Sequence, residues 1–223
     1  MRFFEDSAQQ SYDKYGKLVD CNIPKRVGEL NQYEPKFQPV DFNRSQSINV
    51  GVGECVFIKA DSNQRMIIGS AGAGPCFILA LVDSKGKSAW LAHIDVFVSI
   101  EELKAALNKV YEKINPTAAV AHIVGGNNAS IAQGVAICNE LEQNGVTISS
   151  ALLREQWEFD QLSLGVDPNT GVIYAPEGRE LAERKDSFKK LGNRVRLGNE
   201  RGALELTDIT PDLVEPISKV ELK

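Results

Sequence analysis

Apolar residues along the chain gather into short runs divided by polar, glycine-bearing turns, and in two places they fall at helical spacing instead. The clearest runs are Phe77 to Val82 and Ala89 to Ala92, divided by Asp83 to Lys87, which predict a β-hairpin. Upstream, Ile48 to Ala60 alternates in part and reads as one strand, with Gly51 and Gly53 marking a bulge. Met66 to Ile68 predicts a short strand running into a small-residue turn, Ser70 to Pro75. Ser99 and Glu102 have the spacing of a capping box, and Ile100, Leu103, Leu107, Val110 and Ile114 then fall on one helical side up to Asn115-Pro116. A buried strand is expected over 118–124. A second helix follows over 130–143, with Ile131, Val135, Cys138 and Leu141 on one face and Asn144-Gly145 as its C-cap. Val146 to Leu153 reads as a strand, and Leu162 to Val166 with Val172 to Tyr174 as a second hairpin. Strands interrupted by two good helices predict a layered α/β domain.

The flanks are less regular. Residues 1–47 are polar, and Asn22-Ile-Pro-Lys-Arg and Glu34-Pro-Lys-Phe-Gln-Pro read as breaks, so this segment is expected to be an irregular arm anchored by Phe3, Phe4, Tyr12, Tyr15, Leu18, Val19, Tyr33 and Phe37. Glu177 to Leu191 reads as a charged helix with a thin apolar stripe, and a polar tail follows from Gly192. The expected organisation is an arm over 1–47, a catalytic domain over 48–175, and a helical segment and tail over 176–223 packed on the same domain.

Composition narrows the class. A chain of 223 residues, 43% hydrophobic, holds one domain or one domain with extensions. The net charge of −5 argues against a nucleic-acid partner, which asks for a basic footprint. No apolar window reaches the roughly 18 residues of a membrane span, and Met1 to Asp6 lacks a signal-peptide core. Cys21, Cys55, Cys76 and Cys138 form no Cys-x-x-Cys pair and no metal-like cluster with the two histidines, so neither a metal nor another cofactor is expected. Free thiols fit a reducing compartment.

The chemistry concentrates on the first hairpin. Cys76 begins its first strand and His93 ends its second, so the hairpin brings both to one end, as a thiol and its base require. Gly72 and Gly74 permit positive φ and close approach, so backbone N–H groups in this turn are candidates to hold an oxyanion. Pro75 has no N–H, which leaves Cys76 and the residues before Pro75 as donors. A lone buried cysteine and a histidine after an apolar run also suit ordinary packing. His122 is the rival base, but its mid-strand position favours His93.

Ser70-x-Gly72-x-Gly74-Pro75-Cys76, with His93 17 positions beyond the cysteine, resembles the core motif of the CheD-type glutamine deamidases, Thr-x-Gly-x-Gly-Ser-Cys and a later His. The resemblance begins at Val50-Gly-Val-Gly-Glu-Cys-Val-Phe-Ile58. It continues through Ile123-Val-Gly-Gly-Asn-Asn-Ala129 and the segment ending at Ile148, and closes at Pro168 to Tyr174. The N-terminal asparagine amidohydrolases share the Val-Gly-Gly segment and closing strand in similar form, and the cytotoxic-necrotising-factor deamidase toxins share the Cys–His logic. The resemblance implies an α/β/β sandwich with helices on one sheet face. It also implies a Cys76 nucleophile, a His93 base and Ser70 in the place of the family's Thr as the group orienting the imidazole, with Asp95 as the other candidate. Where CheD-type proteins carry Gly-Gly-x-x-Gly-Arg, this chain reads Arg154 to Asp160 without it, a departure that argues against a chemoreceptor substrate.

The expected activity is therefore deamidation of a glutamine side chain in a partner protein, without cofactor, nucleic acid or membrane, in the cytoplasm or after delivery into a host cytosol. Deamidation of an N-terminal asparagine is the alternative, with Glu54, Asp95 or Asp160 as the partner of the α-ammonium. Amine transfer through the same thioester is a related option, and a non-catalytic binding module on the same fold is the alternative of another class. Nothing in the sequence bears on oligomeric state.

Overall fold

The computed structural model describes residues 23–60, 65–154, 161–182, 196, 202 and 204–210. In chain order its elements are α1 (Ile23–Leu30), β1 (Ser47–Asn49), β2 (Glu54–Lys59), β3 (Ile67–Ala73), β4 (Phe77–Asp83), β5 (Ser88–Ile94), α2 (Ile100–Tyr111), β6 (Val120–Gly125), α3 (Ile131–Gln143), β7 (Thr147–Leu153), β8 (Leu162–Val166), β9 (Ile173–Tyr174) and β10 (Thr207–Asp208). The strands form two sheets, ordered β1-β3-β8-β9 and β10-β2-β5-β4-β6-β7.

Strand alternation sorts the larger sheet's side chains into two cores. Phe77, Leu79 and Leu81 of β4 face one way with Trp90, Ala92 and Ile94 of β5, against Leu103, Leu107 and Val110 of α2 and Val135, Cys138 and Leu141 of α3. Ile78, Ala80 and Val82 face the other way, against Ile68, Leu164 and Val166 of the smaller sheet. The result is a layered α/β/β sandwich: helices, six-stranded sheet, four-stranded sheet. Phe77, Leu79 and Trp90 have 2% exposure or less, and each such burial contributes on the order of 1.5–3 kcal/mol.

The predicted hairpin forms in register, with Phe77 opposite Ile94, Ile78 opposite His93 and Asp83 opposite Ser88. The capping box forms at α2, where the Ser99 hydroxyl accepts the Glu102 N–H at 3.3 Å and the Glu102 carboxylate accepts the Ser99 N–H at 3.0 Å. Cys138 is core packing in α3, as its spacing predicts.

Three expectations need correction. The single strand expected over 48–60 is two strands in different sheets, because the chain turns at Gly51–Gly53 and the Glu54 carboxylate accepts the Gly51 N–H at 2.9 Å. The segment expected as a small-residue turn from Ser70 is mostly strand β3, whose ladder to β8 is interrupted by an irregularity between Ala71 and Ala73. The arm over 1–47 is not wholly irregular. Pro24 sits in the first turn of α1, where its missing N–H is no loss, and Ile23, Val27 and Leu30 are buried. Beyond α1, the Asn31 side chain donates to the Leu153 carbonyl at 2.7 Å and accepts the Leu153 N–H at 2.8 Å, so one amide pairs with the edge of β7. Phe3, Phe4, Tyr12, Tyr15, Leu18 and Val19 lie outside the described residues, as does most of the expected helix after Glu177, whose described start is a 3-10 turn at Gly178–Glu180. From the tail, β10 pairs in parallel with β2 and completes the larger sheet.

Candidate functional site

Two strands of one sheet and one of the other meet at the site. His93 lies on β5 opposite Ile78 of β4, on the face that meets the smaller sheet. Cys76 is one residue before β4, and alternation gives it the side of Ile78, diagonal to His93. Ser70 comes from β3 of the facing sheet, and its hydroxyl lies 2.7 Å from His93 Nδ1. The structure thus joins His93 to Ser70 at the seam between the sheets, with Cys76 on the neighbouring strand one register step away.

A second hydrogen bond decides how the imidazole is protonated. The Ser70 hydroxyl donates to the Val50 carbonyl at 2.6 Å. A hydroxyl has one proton, so towards His93 it can only accept. His93 Nδ1 therefore carries the hydrogen, and Nε2 carries a bare lone pair. Ser70 and His93 are each 1% exposed, and Nε2 has no hydrogen-bond partner among the described residues. The bare Nε2 is thus a buried acceptor with no hydrogen to accept.

The two groups are apposed, not hydrogen-bonded, and they are neutral. Burial holds the His93 imidazole down at about 4. Burial also pushes the Cys76 thiol up to about 12; the Asp95 charge adds to this, and the backbone at Val96 works against it. At rest the site therefore holds a neutral thiol and a neutral imidazole, because desolvation disfavours the charged form of each. A hydrogen bond missing from the resting site is ordinary before substrate closes it.

Asp95 is not the group orienting His93. It is buried beyond the end of β5, its carboxylate accepting the Phe97 N–H at 3.0 Å. His122 faces the same intersheet layer but lies opposite Ala80 on the far side of β4, with Nδ1 2.8 Å from the Ser150 hydroxyl. Glu54 is 2% exposed and reaches the site from β2, one step beyond the Cys55–Ala92 pair. Asp160 lies outside the described residues.

The glycines divide. Gly72 has φ +87°, the left-handed region an L side chain rarely enters, and occupies the irregularity in β3. Gly74 has no such φ, and a Cβ there would meet nothing within 4 Å, so the close approach expected of it is not required. Among the described residues neither the Cys76 N–H nor the Gly74 N–H donates to another backbone group.

Sequence reading missed what braces the nucleophile. The Gly126 N–H donates to the Cys76 carbonyl at 3.0 Å, and a Cβ on Gly125 (φ +125°) would come within 2.2 Å of that same oxygen. Val-Gly-Gly was legible as a motif, but its contact with Cys76 depends on β6 pairing with β4. Among the described residues no three His, Cys, Asp or Glu side chains gather as a metal site. No helix among them is long and apolar enough to cross a membrane.

No protein-family model and no curated protein matches the chain. Among solved structures it is similar to the Neisseria meningitidis protein NMB0706, described as DUF152, at 11% identity and a TM-score of 0.28. That match covers 40% of this chain and 51%, about half, of the other. It is also similar to the Bacillus licheniformis hypothetical protein YfiH, at 10% identity and a TM-score of 0.34, over 59% of this chain and 68% of the other. Neither description names a deamidase, and at these TM-scores the likenesses carry no functional argument.

Proposed function

We propose that the protein is a cysteine-dependent deamidase that converts a glutamine carboxamide of a partner protein to a carboxylate with release of ammonia. One observation carries the reading: the Ser70 proton is committed to Val50, so the buried Nε2 of His93 is a bare acceptor on the Cys76 side of the sheet. The Ser-x-Gly-x-Gly-Pro-Cys motif and its resemblance to the CheD-type enzymes support it independently.

With both groups neutral at rest, proton transfer accompanies attack. Nε2 takes the thiol proton as Sγ bonds to the carboxamide carbon, and the oxyanion settles against the N–H groups of Cys76 and Gly74. The imidazolium stays hydrogen-bonded to Ser70 through Nδ1–H and gives its Nε2 proton to the nitrogen that leaves as ammonia. Water then attacks the thioester with Nε2 again as base. The carboxylate departs and the thiol is restored.

A second reading, removal of the side-chain amide of an N-terminal asparagine, is favoured by Glu54 and Asp95, two buried carboxylates at the site that suit an α-ammonium. Mass spectrometry of products separates the readings. A gain of about one dalton on internal-Gln peptides or on folded proteins of a lysate supports the first, and the same gain only on Asn-starting peptides supports the second. A larger gain, equal to an added amine less ammonia, marks amine transfer. No product from any of these, with Cys76 as slow to alkylate as a free thiol of its pKa, leaves the binding module.

A further inference from the structure

We infer that Glu54 is a positioning residue for His93: its carboxylate holds the peptide group between Val50 and Gly51, whose carbonyl takes the Ser70 proton and so sets the imidazole tautomer. The inference deepens the reading of His93 as the base and rests on it.

The Val50 carbonyl and the Gly51 N–H belong to one planar trans peptide and point to opposite sides of it. The Ser70 hydroxyl donates to the carbonyl at 2.6 Å, and the Glu54 carboxylate accepts the N–H at 2.9 Å. The two bonds therefore hold one rigid plane by its two ends, and a rotation that breaks one turns the other away. Hydrogen bonds in such a chain also polarise one another, so an acceptor at the N–H end makes the carbonyl a better acceptor at the far end. The chain runs from carboxylate to peptide to hydroxyl and closes on the imidazole, with His93 Nδ1 2.7 Å from the Ser70 oxygen.

The turn around this peptide is built for that contact. The Val50 N–H donates to the Gly69 carbonyl at 2.8 Å, beside Ser70, and the Glu54 N–H donates to the Gly51 carbonyl at 3.0 Å. The Gly53 N–H donates to the His93 carbonyl at 2.6 Å, so the same turn also meets the backbone of the histidine. A Cβ on Gly51 would come within 2.9 Å of the carboxylate oxygen that accepts the N–H, so the glycine is what lets the carboxylate close on it. Glu54 is 2% exposed, and a carboxylate so buried is costly unless hydrogen-bonded. One of its oxygens is spent on the peptide that commits the Ser70 proton.

The test is nitrogen-15 NMR of the histidine rings in the untagged full chain at neutral pH, which reads each tautomer from its two ring-nitrogen shifts. The chain holds two histidines, so His122→Asn assigns both and His122 serves as the internal control. The wild type is expected to hold His93 in the Nδ1–H form. Glu54→Met removes the acceptor, and Gly51→Ala pushes it aside without backbone strain, since Gly51 does not have a positive φ. In each the ratio of Nδ1–H to Nε2–H forms at His93 falls about tenfold, the worth of one buried hydrogen bond. Glu54→Gln keeps an acceptor and is expected to stay within about twofold. The two disruptive variants act from opposite ends of the contact, so one decides if the other does not fold. An unmoved His93 ring in a folded disruptive variant, an equal change at His122, or a change in Glu54→Gln as large as in Glu54→Met overturns the inference. So does a rise in KM alone with the resting ring unmoved, which would make Glu54 a carboxylate for the substrate. The spectrum needs no substrate. A shifted His93 in a protein that never releases ammonia would therefore support the positioning role and defeat the deamidase reading alone.

Discussion

The larger sheet holds two histidines, each paired with a serine, and the two pairs are nearly alike. His93 meets Ser70 at 2.7 Å and His122 meets Ser150 at 2.8 Å, both through Nδ1. Burial holds each imidazole at about 4. The difference lies in what stands around each pair. Ser70 passes its proton to the Val50 carbonyl and so fixes the His93 tautomer, and Cys76 stands diagonal to the ring. The described contacts give the Ser150 hydroxyl no acceptor besides His122, and among the described residues no cysteine contacts that ring through a hydrogen bond. On the proposed reading, burial and a serine partner do not make a base; a fixed tautomer and a cysteine on the neighbouring strand set His93 apart.

Substitutions can break that comparison. The largest difference is expected between the rings themselves. His93→Ala lowers kcat/KM for amide hydrolysis by about 10³-fold, within the usual range for a lost general base, whereas His122→Ala stays within about threefold in steady-state assays. Next come the serines. Ser70→Ala frees the tautomer and leaves the Nδ1–H unpaired, for a loss of about 10- to 100-fold in kcat, against about twofold for Ser150→Ala. Equal losses at the two serines would show that orientation by Val50 and Ser70 is irrelevant.

Gly125→Ala tests the bracing of the thiol-bearing strand. Its Cβ would fall 2.2 Å from the Cys76 carbonyl oxygen at a φ of +125°, so about 2–4 kcal/mol of stability is lost in denaturant titration. The smallest effect is one the two histidines share. Each is protonated in the unfolded chain below its ordinary 6.5 but stays neutral when folded down to about 4. Their stabilisation is complete above pH 6.5 and is lost as pH falls towards 4, by up to about 1.4 kcal/mol per pH unit for each ring. His93→Asn and His122→Asn should flatten that slope equally, even though only one of them affects turnover.

The placement of Cys76 and His93 at one end of a hairpin was legible because its register follows from two short apolar runs, whereas Ser70 was suggested only by the family resemblance. The layering was legible too, since period-two runs and two helical stripes leave few ways to bury both faces of a sheet. What was not legible comes from distant partners. Val50 was one residue of a supposed continuous strand, and only the break at Gly51–Gly53 places its carbonyl over Ser70. Gln133 falls within the expected helix over 130–143, but its carbonyl partners, Val98 and Asp95, lie 35 and 38 residues away. Pro24 looked like a breaker and is a helix starter. The neutral state of the thiol and imidazole follows from burial, which no local spacing reports.

The central claim is that Cys76 attacks a carboxamide. Its most direct measurement is ammonia release by the wild-type protein and by Cys76→Ala, side by side on the substrate that gains about one dalton, with melting curves showing both to be folded. The account predicts one ammonia for each product formed by the wild type and none above background from the variant. Full release by a folded Cys76→Ala protein would contradict it.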